Sequence, residues 1–239
     1  MKRRVLVTRP EPGASETAAR LEALGFEAVV LPLTRIAPLA GPEPNPNAVD
    51  AVVVTSVNAL RHAAPRVIGA LSTKPVFAVG DVTAEAARES GFAAVSSASG
   101  TAVDLATLIA LRMPAGSRIL HLAGRERTEG FAEALYDRGF DVRVLEVYSA
   151  EKVSYTTDFL TETFTPGPIW GTPVFSTRGA MLLCELLDNS LLAYAFEKTR
   201  IFCISRKVAE VLAPVAGDRI GVSDAPTEES ILMLLSSQR

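Results

Sequence analysis

Short clusters of hydroxyl, glycine and basic residues recur along this chain, each directly after an apolar run. They are Thr8-Arg9-Pro10, Thr55-Ser56 with Asn58 close behind, Gly80-Asp81-Val82-Thr83, the serine-rich stretch 96–101, Gly124-Arg125-Glu126-Arg127, Ser176-Thr177-Arg178-Gly179, Ser205-Arg206-Lys207 and Ala225-Pro226-Thr227. Two kinds of chemistry use such residues at such places. A serine or threonine ahead of a helix accepts from the first free backbone N–H groups and caps it. For any one residue alone, capping is the stronger reading. The same unpaired N–H groups, with arginine beside them, also make a place for anions, because the helix dipole favours negative charge there.

What the clusters lack narrows the ligand. There is no Gly-x-x-x-x-Gly-Lys-Ser/Thr and no Gly-x-Gly-x-x-Gly after a strand, which disfavours a nucleotide-dependent transferase. His62 and His121 are the only histidines, and no Cys/His cluster has ligand spacing, so no metal site is expected. His62 reads as a helix-surface residue, and His121, inside an apolar run, as a core or rim residue rather than a catalyst. No Ser/His/Asp arrangement can be argued. A protein of this kind has little acid–base machinery and is expected to need no cofactor. It would act by holding a reactive, many-anion ligand in one shape.

The elements that must position these groups follow from periodicity. β-branched runs mark strands at 5–7, 28–31, 51–54, 76–79, 93–95, 119–122, 142–147, 174–175, 201–204 and 220–222. Helical patterns lie between them at 14–24, 58–71, 83–90, 102–112, 129–138, 180–187, 208–212 and 228–235. Strand alternating with helix means βαβ units and a parallel sheet covered on both faces. Ligands of such sheets gather at the carboxyl ends of the strands, where the clusters stand.

The chain also repeats itself. Arg4 falls on Arg118, Leu6 on Leu120, Leu21 on Leu135 and Gly25-Phe26 on Gly139-Phe140, at a constant offset of 114. Three further segments recur in the same order, so two copies of one set of units are present. Two closures are open: consecutive domains, or a first unit that docks with the last three. The Pro/Asn-rich stretch after Leu33 and the polar, Pro/Gly-broken stretch after Tyr148 favour the second, reading as crossings that continue neither helix nor strand. The expected architecture is α/β, with two flavodoxin-like doubly wound parallel-sheet domains joined by a two-stranded linker. One is discontinuous, residues 1–36 plus 152–239. The central one spans 40–148, with crossovers at 37–39 and 149–151.

With 239 residues, 48% apolar and 21% charged, the composition is that of an ordinary globular protein. A net charge of −3 with no dense basic patch argues against nucleic acid as a partner. No apolar run approaches membrane-spanning length, and the basic start is followed by too short an apolar run for a signal or transit peptide. Cys184 and Cys203 are isolated, reading as buried free thiols in a reducing cytoplasm.

Six motifs, VLVTRP, TSVNAL, VGDVTA, LHLAGRER, LEVYSA and FSTRGA, occur in this order. In that order the chain resembles uroporphyrinogen-III synthase over nearly its whole length. The resemblance implies a cofactor-independent lyase acting on hydroxymethylbilane, a linear tetrapyrrole bearing carboxylate arms. Loss of its hydroxyl gives an azafulvene, which closes unaided into the type I ring. The family directs attack through a spiro intermediate, so that ring D is inverted and uroporphyrinogen III results. Backbone amides and hydroxyls at strand ends of both domains would hold the carboxylates, and domain closure would fold the chain. The resemblance also implies a monomer, the tetrapyrrole as small-molecule partner, and a transient hand-over from hydroxymethylbilane synthase.

Residue by residue, Thr55, Ser56, Thr83 and Ser176 match the family's hydroxyls. Ser205-Arg206-Lys207-Val208 replaces a common Gly-Pro-Thr-Thr, and Asn58 stands where some members have arginine. With Arg9, Gly80, Gly124, Arg125, Thr177, Arg178 and Thr227 these make the expected substrate rim. Tyr148 matches the tyrosine ending the last central strand and is the side chain assigned chemistry. A phenol, uncharged at pH 7, donates to the departing hydroxyl; as a rim aromatic it would only pack. The other class of function is a non-catalytic two-domain binding protein for a small anionic metabolite, which fold alone does not exclude.

Overall fold

The computed structural model describes residues 2–127 and 130–238. The first half of the described chain runs β1 (Arg4–Val7), α1 (Gly13–Ala23), β2 (Glu27–Val30), β3 (Thr34–Pro38), β4 (Ala51–Val54), α2 (Val57–His62), α3 (Pro65–Leu71), β5 (Val76–Ala78), α4 (Asp81–Glu89), β6 (Val95–Ser97) and α5 (Ala102–Arg112). It continues with β7 (Arg118–Gly124), α6 (Phe131–Tyr136), β8 (Asp141–Lys152), α7 (Thr157–Phe164), β9 (Gly171–Val174), α8 (Thr177–Leu187), α9 (Ala193–Phe196), β10 (Arg200–Cys203), α10 (Arg206–Ala216), β11 (Ile220–Val222) and α11 (Glu228–Ser237). The fold is mixed α/β with parallel sheets.

Two compact units divide the chain. Unit 1 comprises Met1–Arg35 and Glu151–Arg239, and unit 2 is Ile36–Ala150. Unit 1 holds a five-stranded parallel sheet in the order β11-β10-β9-β1-β2. Unit 2 has the order β8-β7-β4-β5-β6, with β3 added beyond β8. The units β1–α1–β2 and β7–α6–β8 thus take equivalent positions in the two sheets.

Both faces of each sheet are covered, which is why the strands are apolar throughout rather than alternating. Leu6 packs with α8 and α10 around Leu183 and Leu212, while Val5 and Val7 face α1 and α11 around Leu21 and Ile231. In unit 2, Leu120 and Leu122 face α2 and α4, whereas Ile119 packs with Leu105, Ile109 and Leu135 of α5 and α6. Each repeat opens on an arginine that ties down the amino end of its sheet, away from the rim of interest. Arg4 bonds Glu27 (3.1 Å) and the carbonyl of Thr163 (3.0 Å). Arg118 grips Asp50 through two guanidinium bonds of 2.7 and 3.0 Å, and these hold the Asp50 carboxyl well below the usual carboxylate range.

Several elements differ from the sequence expectation. The helix expected over 58–71 is two helices. Pro65 lacks an N–H and disfavours helical backbone just before it, and Ala63 and Ala64 are extended, with ψ of 133° and 141°. The stretches expected to continue neither helix nor strand are largely regular. β8 runs on to Lys152, and β3 lies beside it through bonds from Leu39 N to Val147 O and from Val153 N to Leu33 O. α7 forms because Thr156 caps it, its hydroxyl accepting from Phe159 N at 3.3 Å, and because Leu160 and Phe164 bury one face. The helix expected over 129–138 is α6, shorter at both ends; residue 129 lies outside the described residues.

Among the described residues no single helix is long and apolar enough to cross a membrane. The segments Thr177–Leu187 and Ser190–Phe196 reach that length only together, across an 81° bend, and Leu183, Leu186, Leu192 and Phe196 are buried in the core of unit 1. Cys203 is buried, which pushes its thiol up to about 12, but Cys184 is only half-buried, correcting the expectation of two buried thiols.

Candidate functional site

In unit 2 the chain leaves β4 toward β5 on one side and β7 toward β8 on the other. The crevice between β4 and β7, outside their carboxyl ends, is where open α/β sheets bind ligands. A cavity of about 500 Å³ lies there. Thr55 follows β4, His121, Ala123 and Gly124 come from β7, and Tyr148 comes from β8. Ala102, Val103 and Ala106 of α5 and Phe131 and Ala134 of α6 make the apolar walls, with Glu126, Arg127 and Arg138 at the edge. Three of the expected residues, Thr55, Gly124 and Tyr148, are thereby brought together.

Tyr148 is not at a strand end, as expected, but inside β8. The register shifts between Ala123 and Gly124, so Ala123 pairs with Glu146 but Gly124 with Tyr148. The shift brings the tyrosine ring across Gly124. A Cβ at Gly124 would stand 2.6 Å from Cζ of Tyr148 and 2.9 Å from its hydroxyl. His62 is half-buried on α2, its ring 6.2 Å from that of Tyr148, rather than a plain surface residue. The phenol oxygen makes no hydrogen bond among the described residues, so it is available to a ligand in the cavity.

His121 is the group that the sequence reading set aside. It is 4% exposed, places Nε2 3.2 Å from Oγ1 of Thr55, and meets Phe131 edge-on at 5.2 Å. Its Nδ1 is buried with no hydrogen-bond partner among the described residues. Burial, aided by the nearby Arg127 charge, pushes its pKa down to about 4. One signal for it was in the repeat: at the offset of 114 its counterpart is Val7, so an imidazole occupies an otherwise apolar position.

This imidazole should make stability depend on pH. Unfolded, it takes up a proton near 6.5; folded, it does so only near 4. Between those values the unfolded chain binds more protons, so stability falls as pH drops from 6.5 through 4. The loss is on the order of 3 kcal/mol and is exhausted below that window. Urea unfolding at pH 7 and at pH 4 should show it, and His121→Phe should remove that part of the slope. An equal slope in the variant would place the titration elsewhere.

The rest of the rim of unit 2 is more committed than the sequence implied. Ser56 caps α2, its hydroxyl accepting from Asn58 N at 3.2 Å. Thr101 and Asp104 close a capping box on α5, which fills that helix start with its own carboxylate. Gly80 precedes α4, leaving its N–H groups without a side-chain cap, but Thr83 is buried within that helix. Arg125 and Arg127 both bond Glu146, at 3.1 and 3.0 Å, and hold its carboxyl below the usual range.

In unit 1 the corresponding crevice lies between β1 and β9. Arg9 stands there, but its guanidinium is engaged. It lies 4.4 Å over the Phe175 ring and bonds Thr17 (3.2 Å) and Glu228 (3.1 Å). Thr17 in turn donates to Glu228 at 2.6 Å, so the group fastens α1 to the start of α11. Ser176 and Thr227 cap α8 and α11 through Gly179 N (3.0 Å) and Ser230 N (3.2 Å). Thr177 and Arg178 are half-buried in the first turn of α8. Ser205 precedes α10 without forming a side-chain cap bond, and Lys207 is exposed beside it. Among the described residues no group of three His, Cys, Asp or Glu is placed to hold a metal.

No curated protein matches the chain significantly. Among solved structures it is similar to uroporphyrinogen-III synthetase from Helicobacter pylori, with 17% identity, TM-score 0.69 and 100% of each chain covered. It is also similar to a mutant uroporphyrinogen III synthase from Thermus thermophilus, with 19% identity, TM-score 0.57, and 99% and 98% of the two chains covered. At such identities these likenesses speak for the fold. The family model described as uroporphyrinogen-III synthase HemD matches residues 15–233, and the chain belongs to that family.

Proposed function

We propose that the chain cyclises hydroxymethylbilane to uroporphyrinogen III, inverting ring D through a spiro intermediate. The observation that carries this reading is the family match over 15–233. The crevice cavity fits it: apolar walls suit a pyrrole ring, and Thr55, Arg127 and Arg138 suit its carboxylate arms. We read the two units as flavodoxin-like domains, discontinuous and central, on the strand orders β2-β1-β9-β10-β11 and β8-β7-β4-β5-β6.

The proposed steps balance without an electron or group carrier, which is why we read the lyase as cofactor-independent. The hydroxymethyl C–O bond breaks and water leaves. The substituted carbon of the last pyrrole then attacks the azafulvene, forming a C–C bond. The original bridge bond at the spiro centre then fragments and re-forms at the free α-carbon on the other side of the pyrrole nitrogen, which gives up its proton to restore the aromatic ring. Unaided closure is easy, so the protein's part is selection of one geometry. Tyr148 is the proposed donor to the departing hydroxyl. Ser205, Lys207, Ser176 and the uncapped start of α4 are the proposed further carboxylate holders. Because Arg9 is already matched by Glu228, its proposed part is reduced to shaping the rim. The test is the isomer ratio formed from hydroxymethylbilane by the purified protein.

A further inference from the structure

We infer that His121 is a positioning residue whose Nε2–H, donated to Oγ1 of Thr55, turns the threonine hydroxyl proton into the cavity to meet a carboxylate arm of the substrate. The inference rests on the proposed reaction for the identity of the ligand, and on geometry for the rest. Thr55 and His121 line the same cavity and share one hydrogen bond of 3.2 Å. That bond can be drawn in two directions. Were Thr55 the donor, Nδ1 would carry the ring hydrogen, and this N–H would be buried with no acceptor. Were Nε2–H the donor, only a lone pair on Nδ1 is left buried. Orphaned buried N–H groups are the rarer of the two in folded proteins, and Nδ1 has no partner among the described residues. The Nε2–H form is therefore favoured.

The direction of this bond has a consequence for recognition. A hydroxyl that already accepts from an imidazole keeps its own proton to give away. Thr55 is then a donor aimed at the ligand, suited to a carboxylate oxygen and unsuited to a ligand group that must itself donate. The imidazole stays neutral because it is buried, so the arrangement holds through the neutral range. An imidazolium would also donate from Nε2, but it would place a buried positive charge near the Arg127 guanidinium.

Two measurements test this. In ¹⁵N-labelled protein, long-range proton–nitrogen correlations should show His121 with hydrogen on Nε2; hydrogen on Nδ1 would overturn the proposal. This readout does not depend on activity. In kinetics with hydroxymethylbilane, His121→Phe should raise KM about fivefold, the worth of one neutral hydrogen bond, with kcat changed much less. His121→Gln, which sets an amide N–H near the Nε2 position, should recover most of that loss. In a Thr55→Val background, His121→Phe should add nothing. An equal loss in that background would mean that the ring only packs, and would overturn the proposal. If His121→Phe does not fold, as judged by its melting transition, the tautomer and the Gln variant decide. Failure of the wild type to form the type III ring would strike the proposed reaction and with it the ligand assigned to Thr55; the tautomer would still report the direction of the bond.

Discussion

Supplied with freshly made hydroxymethylbilane, the protein is expected to yield mainly the type III ring, where buffer alone yields mainly type I. End-to-end closure needs no help, so the isomer ratio, rather than the rate of consumption, reports the protein's contribution. The ratio should be unchanged by added nucleotide or flavin, because no electron or group is carried in the proposed steps. An unchanged mixture dominated by type I would refute the proposed function and promote a non-catalytic binding protein in its place. Within this assay, Tyr148→Phe removes a single oxygen. If the phenol supports departure of the hydroxyl, the rate should fall about ten- to a thousandfold, the range for losing one donor to developing charge. If the ring only packs against the core beneath it, the rate should barely move.

The strand cores were legible because burial on both faces leaves a plain signal. Val5–Val7 and Ala51–Val54 are wholly buried, and their apolar runs mark them without reference to the rest of the chain. The mixed α/β fold with parallel sheets follows from those runs and the helical patterns between them. Elements of polar composition were not legible. β3 and the end of β8 carry Arg35, Glu151 and Lys152, whose exposed charged side chains give no apolar periodicity to read. α7 was lost between a polar lead-in and the Pro166-Gly167-Pro168 run that follows it, although Leu160 and Phe164 mark its buried face at helical spacing.

The site was legible as a rim but not as a cavity. Hydroxyls after strands identified Thr55 and Ser176, yet composition alone does not say which hydroxyl caps a helix and which is free. Ser176 caps, while Thr55 turns to His121. Arg9 looked available because the Glu228 that neutralises it lies 219 residues away in sequence. His121 was set aside because a histidine in an apolar run is usually a core residue. Its polar nature matters only where β4 and β7 diverge, and that neighbourhood is a property of sheet order rather than local sequence.

Gly124→Ala is expected to cost about as much activity as Tyr148→Phe, or more, although it adds one methyl and removes no functional group. Gly124 lies in β7, outside the backbone region reserved for glycine, so alanine fits its dihedral angles. The constraint is steric: the new Cβ would come within 2.6–2.9 Å of the Tyr148 ring and hydroxyl, inside any tolerable contact. The ring must swing away, carrying the phenol from the position proposed for it. Activity should fall about ten- to a thousandfold on the same reasoning as for the loss of the oxygen. Stability should fall by only about 1–3 kcal/mol, the usual cost of overpacking. A Tyr148→Ala background separates the two effects. With no ring to displace, Gly124→Ala should then change neither rate nor isomer ratio further, because the two substitutions act through one contact. If Gly124→Ala alone leaves the rate intact, the close approach of β7 and β8 is only packing, and Tyr148 is not a placed donor. If it instead raises the share of type I ring while Tyr148→Phe lowers only the rate, the ring and its oxygen have separate tasks: the ring walls the cavity that orients the last pyrrole, and the hydroxyl assists the departing group.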